Sequence, residues 1–293
     1  MKKNNFWIVG ALVCVLAFAL ALTACGGSNN AAESATDEAE ATVTAEEDLG
    51  EATEEGEGNY TLVTSGKLIS VSDMECPPFS SYKDGTSEPE GFEIDLMAAI
   101  AERMGLESEW LPKMDFDAII PLIKQGGKAD VGCANFTIND ERKKEIDFTD
   151  PYYIANIGFV TKGDTTATSA DDFNGPEFRI GAQSGTTGEA WVKENLPEAT
   201  IVAMTPATAM LSVQSKTEGS DALDAMVADL PVVTGLINKS YSDLQVLEEI
   251  ATGDEFGIVV SKDNPELTKE LNRVLAELQA DGTIDQLVEK WLS

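Results

Sequence analysis

Residues 136–153 read FTINDERKKEIDFTDPYY, with Arg142 at the end of a polar turn just ahead of aromatic residues and a proline. The whole chain has 293 residues, a formal net charge of −32 and no histidine. An arginine here has two interpretations. It is paired on the surface, since Glu141, Glu145 and Asp147 are near in sequence, or it is aimed at the carboxylate of a ligand. The order of the segments around it distinguishes the two.

Composition excludes several classes of protein. Phosphate binding needs clustered Lys and Arg, so a net charge of −32 argues against a nucleic-acid partner. Without histidine, His-based catalytic triads, zinc sites of the His type and His general bases are ruled out. We predict no metal site and no cofactor.

The N-terminus has the pattern of an export signal. Lys2 and Lys3 precede an apolar run from Ile8 to Leu22, which predicts a signal peptide over residues 1–24. An uncleaved membrane anchor is the alternative, because the run approaches the length that spans a bilayer. The ending Leu22-Thr23-Ala24-Cys25 resembles the lipobox of bacterial lipoproteins. That resemblance implies a mature chain beginning at Cys25, with fatty-acyl chains such as palmitate as its cell-membrane anchor on the extracytoplasmic face.

The next segment, residues 25–58, carries acidic side chains among Ala, Thr, Ser, Gly and Asn. Such a composition does not bury enough apolar area to offset its ordering entropy, and like charges extend the chain. We therefore expect a disordered tether behind the lipidated cysteine.

From Asn59 onward, strand and helix patterns alternate. Strands are expected at 66–72, 110–111, 129–133, 157–161, 178–183, 201–204, 224–228 and 256–260. Helices are expected from Gly91, from Ala118, over Thr187 to Asn195, from Thr205-Pro206, from Pro231 and through an amphipathic C-terminal segment that Gly282 ends. This alternation predicts an α/β protein with largely parallel sheets.

Ligands of open α/β sheets bind beyond the carboxyl ends of the strands. The loops at those ends hold one arginine, carboxylates, hydroxyls and aromatic rings, a mixture that suits a small zwitterion. Each residue also has a structural interpretation. Asp229 could cap the helix that follows it, Phe116 could be a core residue, and Asp73 could form a turn. Residues 184–188 could be a plain turn or a helix N-terminus that meets an anion.

Two cysteines, Cys76 and Cys133, lie in the globular part. An exported protein permits a disulfide, but two thiols that each follow a strand need not meet. The sequence leaves open whether they pair.

Several motifs, in order along most of the globular part, resemble a known family. They are Pro77-Pro78-Phe79, Gly91-Phe92-Glu93-Ile94-Asp95-Leu96, residues 116–122, Lys128-Ala129-Asp130-Val131, residues 137–153, Ser184-Gly185-Thr186-Thr187-Gly188, residues 224–231, and Asp281-Gly282-Thr283 near Trp291. This order is similar to that of the extracellular solute-binding proteins of family 3, the amino-acid-binding proteins of ABC importers. The resemblance implies the periplasmic-binding-protein type II (Venus-flytrap) fold: two lobes, each a mostly parallel sheet flanked by helices. Lobe 1 is expected over residues 59–154 and 257–293, and hinge strands with lobe 2 over 155–256.

The resemblance also implies roles for individual residues. Arg142 would hold the α-carboxylate of an amino acid, and Asp229 would hold its α-ammonium group. The other ligand-binding positions that it implies are Asp73, Cys76, Phe116, Ala134, Asn135, Thr137, Gln183, Thr186 and Thr187. Closure of the lobes on the ligand would present the protein, a monomer, to a membrane permease driven by an ATPase.

Two positions depart from the family pattern. Cys76 stands where many relatives have Tyr or Phe, and Asn135 where a small residue is common. With Asp73 and Glu75 nearby, we expect a polar or basic amino acid, with glutamine, arginine and lysine favoured. The alternatives are a same-fold enzyme, a dehydratase of cyclic acids, and a surface protein that senses its ligand.

Overall fold

The computed structural model describes residues 59–293. The predicted signal peptide, the lipidation site Cys25 and the acidic tether lie outside the described residues. Between Asn59 and Ser293, no helix has both the length and the apolar character needed to cross a membrane.

The described part alternates strands and helices. Its strands are β1 (Lys67–Val71), β2 (Ser81–Tyr82), β3 (Pro89–Glu90), β4 (Glu107–Trp110), β5 (Val131–Gly132), β6 (Asp147–Phe148), β7 (Tyr153–Lys162), β8 (Arg179–Ala182), β9 (Thr200–Ala203), β10 (Ala225–Asp229), β11 (Leu244–Phe256) and β12 (Val259–Val260). Its α-helices are α1 (Phe92–Arg103), α2 (Phe116–Gln125), α3 (Arg142–Glu145), α4 (Thr187–Asn195), α5 (Pro206–Gln214), α6 (Leu230–Ser240), α7 (Pro265–Ala280) and α8 (Thr283–Leu292). A short 3₁₀-helix covers Ala170–Phe173.

Two five-stranded sheets form the two lobes. The first has the order β4-β1-β5-β12-β6, and the second β11-β7-β10-β8-β9. The predicted two-lobed α/β fold is confirmed, but the expectation of mostly parallel sheets needs a correction. In the first sheet β1 is parallel to β4 and β5, whereas β12 is antiparallel to β5 and β6. In the second, β8 is parallel to β9 and β10, whereas β7 is antiparallel to β10 and β11. The antiparallel pairings belong to the strands where the chain passes from one sheet to the other and back.

Burial explains where the helices form. In α7 the residues Leu267, Leu271, Val274, Leu275 and Leu278 recur at helical spacing and are at most 5% exposed. They join the larger hydrophobic core. In β1 the run Leu68–Val71 is buried on both faces, as an interior strand requires. The predicted start of α5 at Thr205-Pro206 is confirmed, because Thr205 is its N-cap and Pro206 its first residue.

The sequence missed one long strand. β11 is an edge strand of 13 residues that pairs with β7 from Leu244↔Lys162 to Phe256↔Tyr153. Its register shifts between Ile250 and Asp254, where Gly253 has φ +61°. The sequence also treated the C-terminal segment as a single long helix, but Gly282 separates α7 from a second helix, α8.

Candidate functional site

One cavity lies where loops of both lobes converge, and it encloses about 450 Å³ of empty space, including the part that opens to solvent. Ten of the eleven residues predicted from the sequence line it. They are Cys76, Phe116, Ala134, Asn135, Thr137, Arg142, Gln183, Thr186, Thr187 and Asp229. They follow strands β1, β5, β8 and β10 or begin helices, so the carboxyl ends of the strands build this site.

Arg142 reaches across the cavity without an ion pair. The side chain of Asn139 accepts a hydrogen bond from the Arg142 backbone N–H at 2.8 Å, which fixes the start of α3. The guanidinium donates to the carbonyl oxygens of Thr137 (2.8 Å) and Gly185 (2.9 Å). Among residues 59–293 it makes no ion pair within 4 Å, and neighbouring Glu145 pairs with Lys124 instead.

The guanidinium also lies over aromatic rings. Its central carbon is 5.5 Å from the ring centroid of Phe116 and 5.6 Å from that of Phe136, and these two rings stack 4.6 Å apart. Burial lowers the pKa of Arg142, and Asp229 and Asp254 oppose that shift. The group remains a cation, because arginine does not lose its proton in proteins.

Asp229 faces the cavity rather than capping its helix. It holds the N-cap position of α6, yet its side chain makes no capping hydrogen bond. Instead Oδ2 accepts from Nδ2 of Asn135 at 3.2 Å. Burial raises the pKa of Asp229 to about 7, partly offset by the Asn135 hydrogen bond. A cationic group placed beside this carboxylate would favour its ionised form.

Asn135 is held by a residue that the sequence analysis did not assign to the site. Asn135 has φ +50°, a left-handed conformation that asparagine tolerates better than most residues. Its backbone N–H donates to Oε1 of Glu93 at 2.7 Å, and the Tyr152 hydroxyl donates to the same oxygen. Within the described part, Oδ1 of Asn135 is buried without a hydrogen-bond partner. Asn135, which lines the cavity, therefore carries an acceptor that no group of the described part satisfies.

Asp73 is the one predicted site residue that does not line this cavity, and it lies behind Gln183. It is 2% exposed, and its Oδ2 accepts from Nε2 of Gln183 at 2.8 Å. It lines an adjoining cavity with Glu75 and Lys113, which form an ion pair. Burial raises the pKa of Asp73 to about 6. Gln183 lines both cavities, so Asp73 orients this amide at the boundary between them.

The N-terminus of α4 closes the site from the second lobe. Thr186 caps the helix, since its hydroxyl accepts from the Glu189 N–H at 3.1 Å and donates to the Gln183 carbonyl at 2.7 Å. The hydroxyl of Thr187 lies 3.4 Å from that of Thr137 and donates to Asp254 at 3.0 Å.

Sequence reasoning missed two kinds of residue here. The first is the apolar and glycine part of the lining: Gly188, Pro206, Val227, Ala228 and Val232. The second is the pair of supporting carboxylates, Glu93 and Asp254. Glu93 lies within a quoted motif, and its placement in an otherwise apolar turn (Phe92, Ile94) was a usable signal. Asp254 lies next to the return to lobe 1 that the sequence predicts at residue 257, but its side chain was not assigned to the site, because the full extent of β11 was not predicted.

Both cysteines of the described part are free and buried. Cys76 lines the cavity and is 7% exposed, whereas Cys133 is 0% exposed. Residues 59–293 contain no group of three or more His, Cys, Asp or Glu side chains that could hold a metal ion.

Comparisons with known proteins agree on one family. The model for the bacterial extracellular solute-binding proteins, family 3, matches residues 68–293. The chain is 32% identical over 228 residues to the L-cystine-binding protein TcyJ of Escherichia coli, covering 77% of this chain and 82% of that protein. It is 30% identical over 295 residues to the arginine-binding extracellular protein ArtP of Bacillus subtilis, covering 100% and 99%. A solved structure of an ancestral arginine-binding protein bound to arginine matches with a TM-score of 0.71 and 35% identity, over 78% of this chain and 99% of that one.

Proposed function

Because this chain belongs to the bacterial extracellular solute-binding proteins of family 3, we propose that it captures a free amino acid between its two lobes for an ABC importer. The observation that carries the proposal is that two groups of opposite charge, not paired with each other, line one cavity. Arg142 comes from the lobe of β5, and Asp229 from the end of β10 in the other lobe. A buried zwitterion is costly unless both of its charges are paired, and these two groups supply both partners.

Each end of the amino acid has donors or acceptors in place. Arg142 would bind the α-carboxylate through its planar fork, with Thr137 and the N-terminus of α4 at Thr186 and Thr187 adding donors. Asp229 and the unpartnered Oδ1 of Asn135 would accept from the α-ammonium group.

The ligand side chain would meet Cys76, Phe116 and Gln183. The oxygen of the Gln183 amide is the acceptor at this end, because Nε2 donates to Asp73. An acceptor selects a ligand side chain that carries N–H donors. We therefore propose a polar or basic L-amino acid, with glutamine, arginine and lysine as the leading candidates. The names of arginine-binding relatives support this choice.

Delivery to a permease and its ATPase, action as a monomer, and anchoring through Cys25 outside the cytoplasm complete the proposal. They rest on family membership and on the N-terminal sequence. Turnover of the bound ligand would instead favour the dehydratase alternative.

The test is thermal unfolding of the full chain in detergent against each of the twenty amino acids. A ligand at 100 times its Kd should stabilise the fold by about 2.7 kcal/mol. We expect a polar or basic amino acid to do so. Arg142→Ala should abolish the shift, and Arg142→Lys should retain part of it, because lysine keeps the charge but not the fork.

Arg273→Ala is the matched control, since Arg273 pairs with Glu270 and Glu277 on the exposed face of α7. Its ligand shift should equal that of the native chain. No shift with any amino acid, or a full shift in Arg142→Ala, would contradict the proposal.

A further inference from the structure

Asp254 joins the two lobes at the site. It lies in β11, directly after Gly253 and the register shift, where the chain passes between the lobes. Its Oδ2 accepts from the hydroxyls of Thr187 (3.0 Å) and Thr137 (3.4 Å). Thr187 begins α4 in the second lobe, and Thr137 follows β5 in the first. One carboxylate oxygen therefore links a hydroxyl from each lobe.

The hydroxyls of Thr137 and Thr187 can donate only a limited number of hydrogen bonds. A threonine hydroxyl has a single proton to donate. While Thr187 donates to Asp254, it cannot donate to a second carboxylate. Thr137 faces the same choice, since the partners of its hydroxyl among residues 59–293 are Asp254 and Thr187. These are the threonines that the proposed function places at the α-carboxylate of the amino acid.

The charge of Asp254 acts on the same groups as the ligand. It opposes the lowering of the Arg142 pKa that burial causes, which means that it favours the cation, and it adds to the raising of the Asp229 pKa by burial, which means that it disfavours the anion. An α-carboxylate next to Arg142 would have both effects. Asp254 thus supplies a negative charge and an acceptor oxygen in the place that the ligand's carboxylate needs.

We propose that Asp254 is an internal carboxylate that bridges Thr137 and Thr187 across the cleft and competes with the α-carboxylate of the amino acid for their hydroxyl protons. The idea rests on the proposed function for the identity of the competitor. The bridge itself is a contact within the protein and does not depend on the proposed function. Asp254 is a positioning residue that lowers affinity, so its removal should tighten binding.

The first measurement is the Kd of the full chain for L-glutamine, L-arginine and L-lysine by calorimetry. Asp254→Ala should lower the Kd of the bound amino acid roughly three- to tenfold, the worth of about one hydrogen bond. Asp254→Asn keeps the size and one acceptor oxygen but not the charge, and should lower it by a smaller factor. Glu255→Ala is the matched control, because this exposed neighbour points to the other face of the strand. Its Kd should not change.

The second measurement needs no ligand. Cys76 lines the cleft and Cys133 lies in the core, so the alkylation rate of Cys76 by iodoacetamide, resolved by peptide mass, reports cleft opening. In the absence of amino acid, iodoacetamide should alkylate Cys76 several-fold faster in the Asp254→Ala variant than in the native chain. The rate at Cys133, the internal control for folding, should stay the same.

An unchanged or raised Kd in Asp254→Ala overturns the proposal, because a competitor that is removed cannot weaken its rival. An unchanged alkylation rate at Cys76 also overturns the proposal, because the bridge would then not keep the cleft closed. If no amino acid binds the native chain, the proposed function fails by itself, and the Cys76 rate alone decides whether Asp254 bridges the lobes.

Discussion

The titration of the Asp229 carboxyl makes the free energy of unfolding depend on pH. This carboxyl has a pKa of about 7 in the folded chain, against an ordinary value of 3.8, because burial penalises the anion. The folded state therefore holds a proton that the unfolded state releases. Its contribution to stability is fully present below about pH 4 and is lost as pH rises through 7. The loss amounts to a few kcal/mol at most, at about 1.36 kcal/mol for each pKa unit.

We expect Asp229→Asn to flatten the pH dependence of the free energy of unfolding, most clearly between pH 5 and 7, where the folded chain keeps a proton that the unfolded chain has lost. Glu93 and Asp73 have pKa values raised to about 6, so they account for part of the slope at lower pH. Urea unfolding without amino acid, at pH 5 to 8, measures this pH dependence of the free energy of unfolding. Asp84→Asn is the control, because that side chain is 89% exposed. An equal slope in Asp229→Asn and the native chain would show that Asp229 does not titrate in this range.

Helix α1 positions the site through the turn that precedes it. Gly91 has φ +134°, and a Cβ there would lie 2.2 Å from the carbonyl oxygen of Phe79. This close approach lets the Phe92 and Glu93 N–H groups donate to the carbonyls of Pro78 and Phe79, both at 2.9 Å. The start of the helix is thereby tied to the loop that carries Cys76, and Glu93 is brought under Asn135.

Gly91→Ala should therefore cost about 3 kcal/mol or more of unfolding free energy, since backbone strain adds to a clash that no side-chain rotation relieves. Gly105→Ala, at the other end of α1, isolates the conformational part. It also has a positive φ, +70°, but no atom lies within 4 Å of its added Cβ, so we expect about 1–2 kcal/mol. Chemical denaturation compares the two. Equal costs would mean that the contact with Phe79 relaxes freely.

At the scale of the whole molecule, the sequence predicts two ways in which the proposed binding unit could be attached to a membrane. The apolar run that ends at Leu22 predicts either an export signal with a lipidated Cys25 or an uncleaved anchor. The two differ in what Cys25 does. Two acyl chains on Cys25 suffice for stable attachment, whereas an uncleaved helix needs no cysteine.

We expect Cys25→Ala to abolish the incorporation of a palmitate label that the native chain shows in an expressing bacterium, because the thiol that carries the acyl chain is gone. Cys14→Ala is the matched control within the apolar run and should keep the label. Metabolic labelling followed by immunoprecipitation measures the incorporation. A native chain that takes up no label would favour the uncleaved anchor.

Much of the architecture follows from local sequence. The start of α5 at Thr205-Pro206, the apolar stripe of α7 and the full extent of α4 were predictable, because capping and periodicity act within a few residues. The loops after strands also marked Arg142 and Asp229 as candidates, and the resemblance to family 3 gave each of them a role at one site.

Tertiary structure decided the rest. β11 is an edge strand in which no residue between Gln245 and Glu255 is buried, so its charged sequence has no apolar alternation to reveal it, and its pairing with β7 is a long-range event. The carboxylates of Glu93 and Asp254 find their partners 42 and 117 residues away. The acceptors of Arg142 are backbone carbonyls, which every residue has. Sequence determined which groups reach the cleft; only the packing of two lobes determined which group each of them meets, because hydrogen-bond partners distant in the chain leave no local pattern.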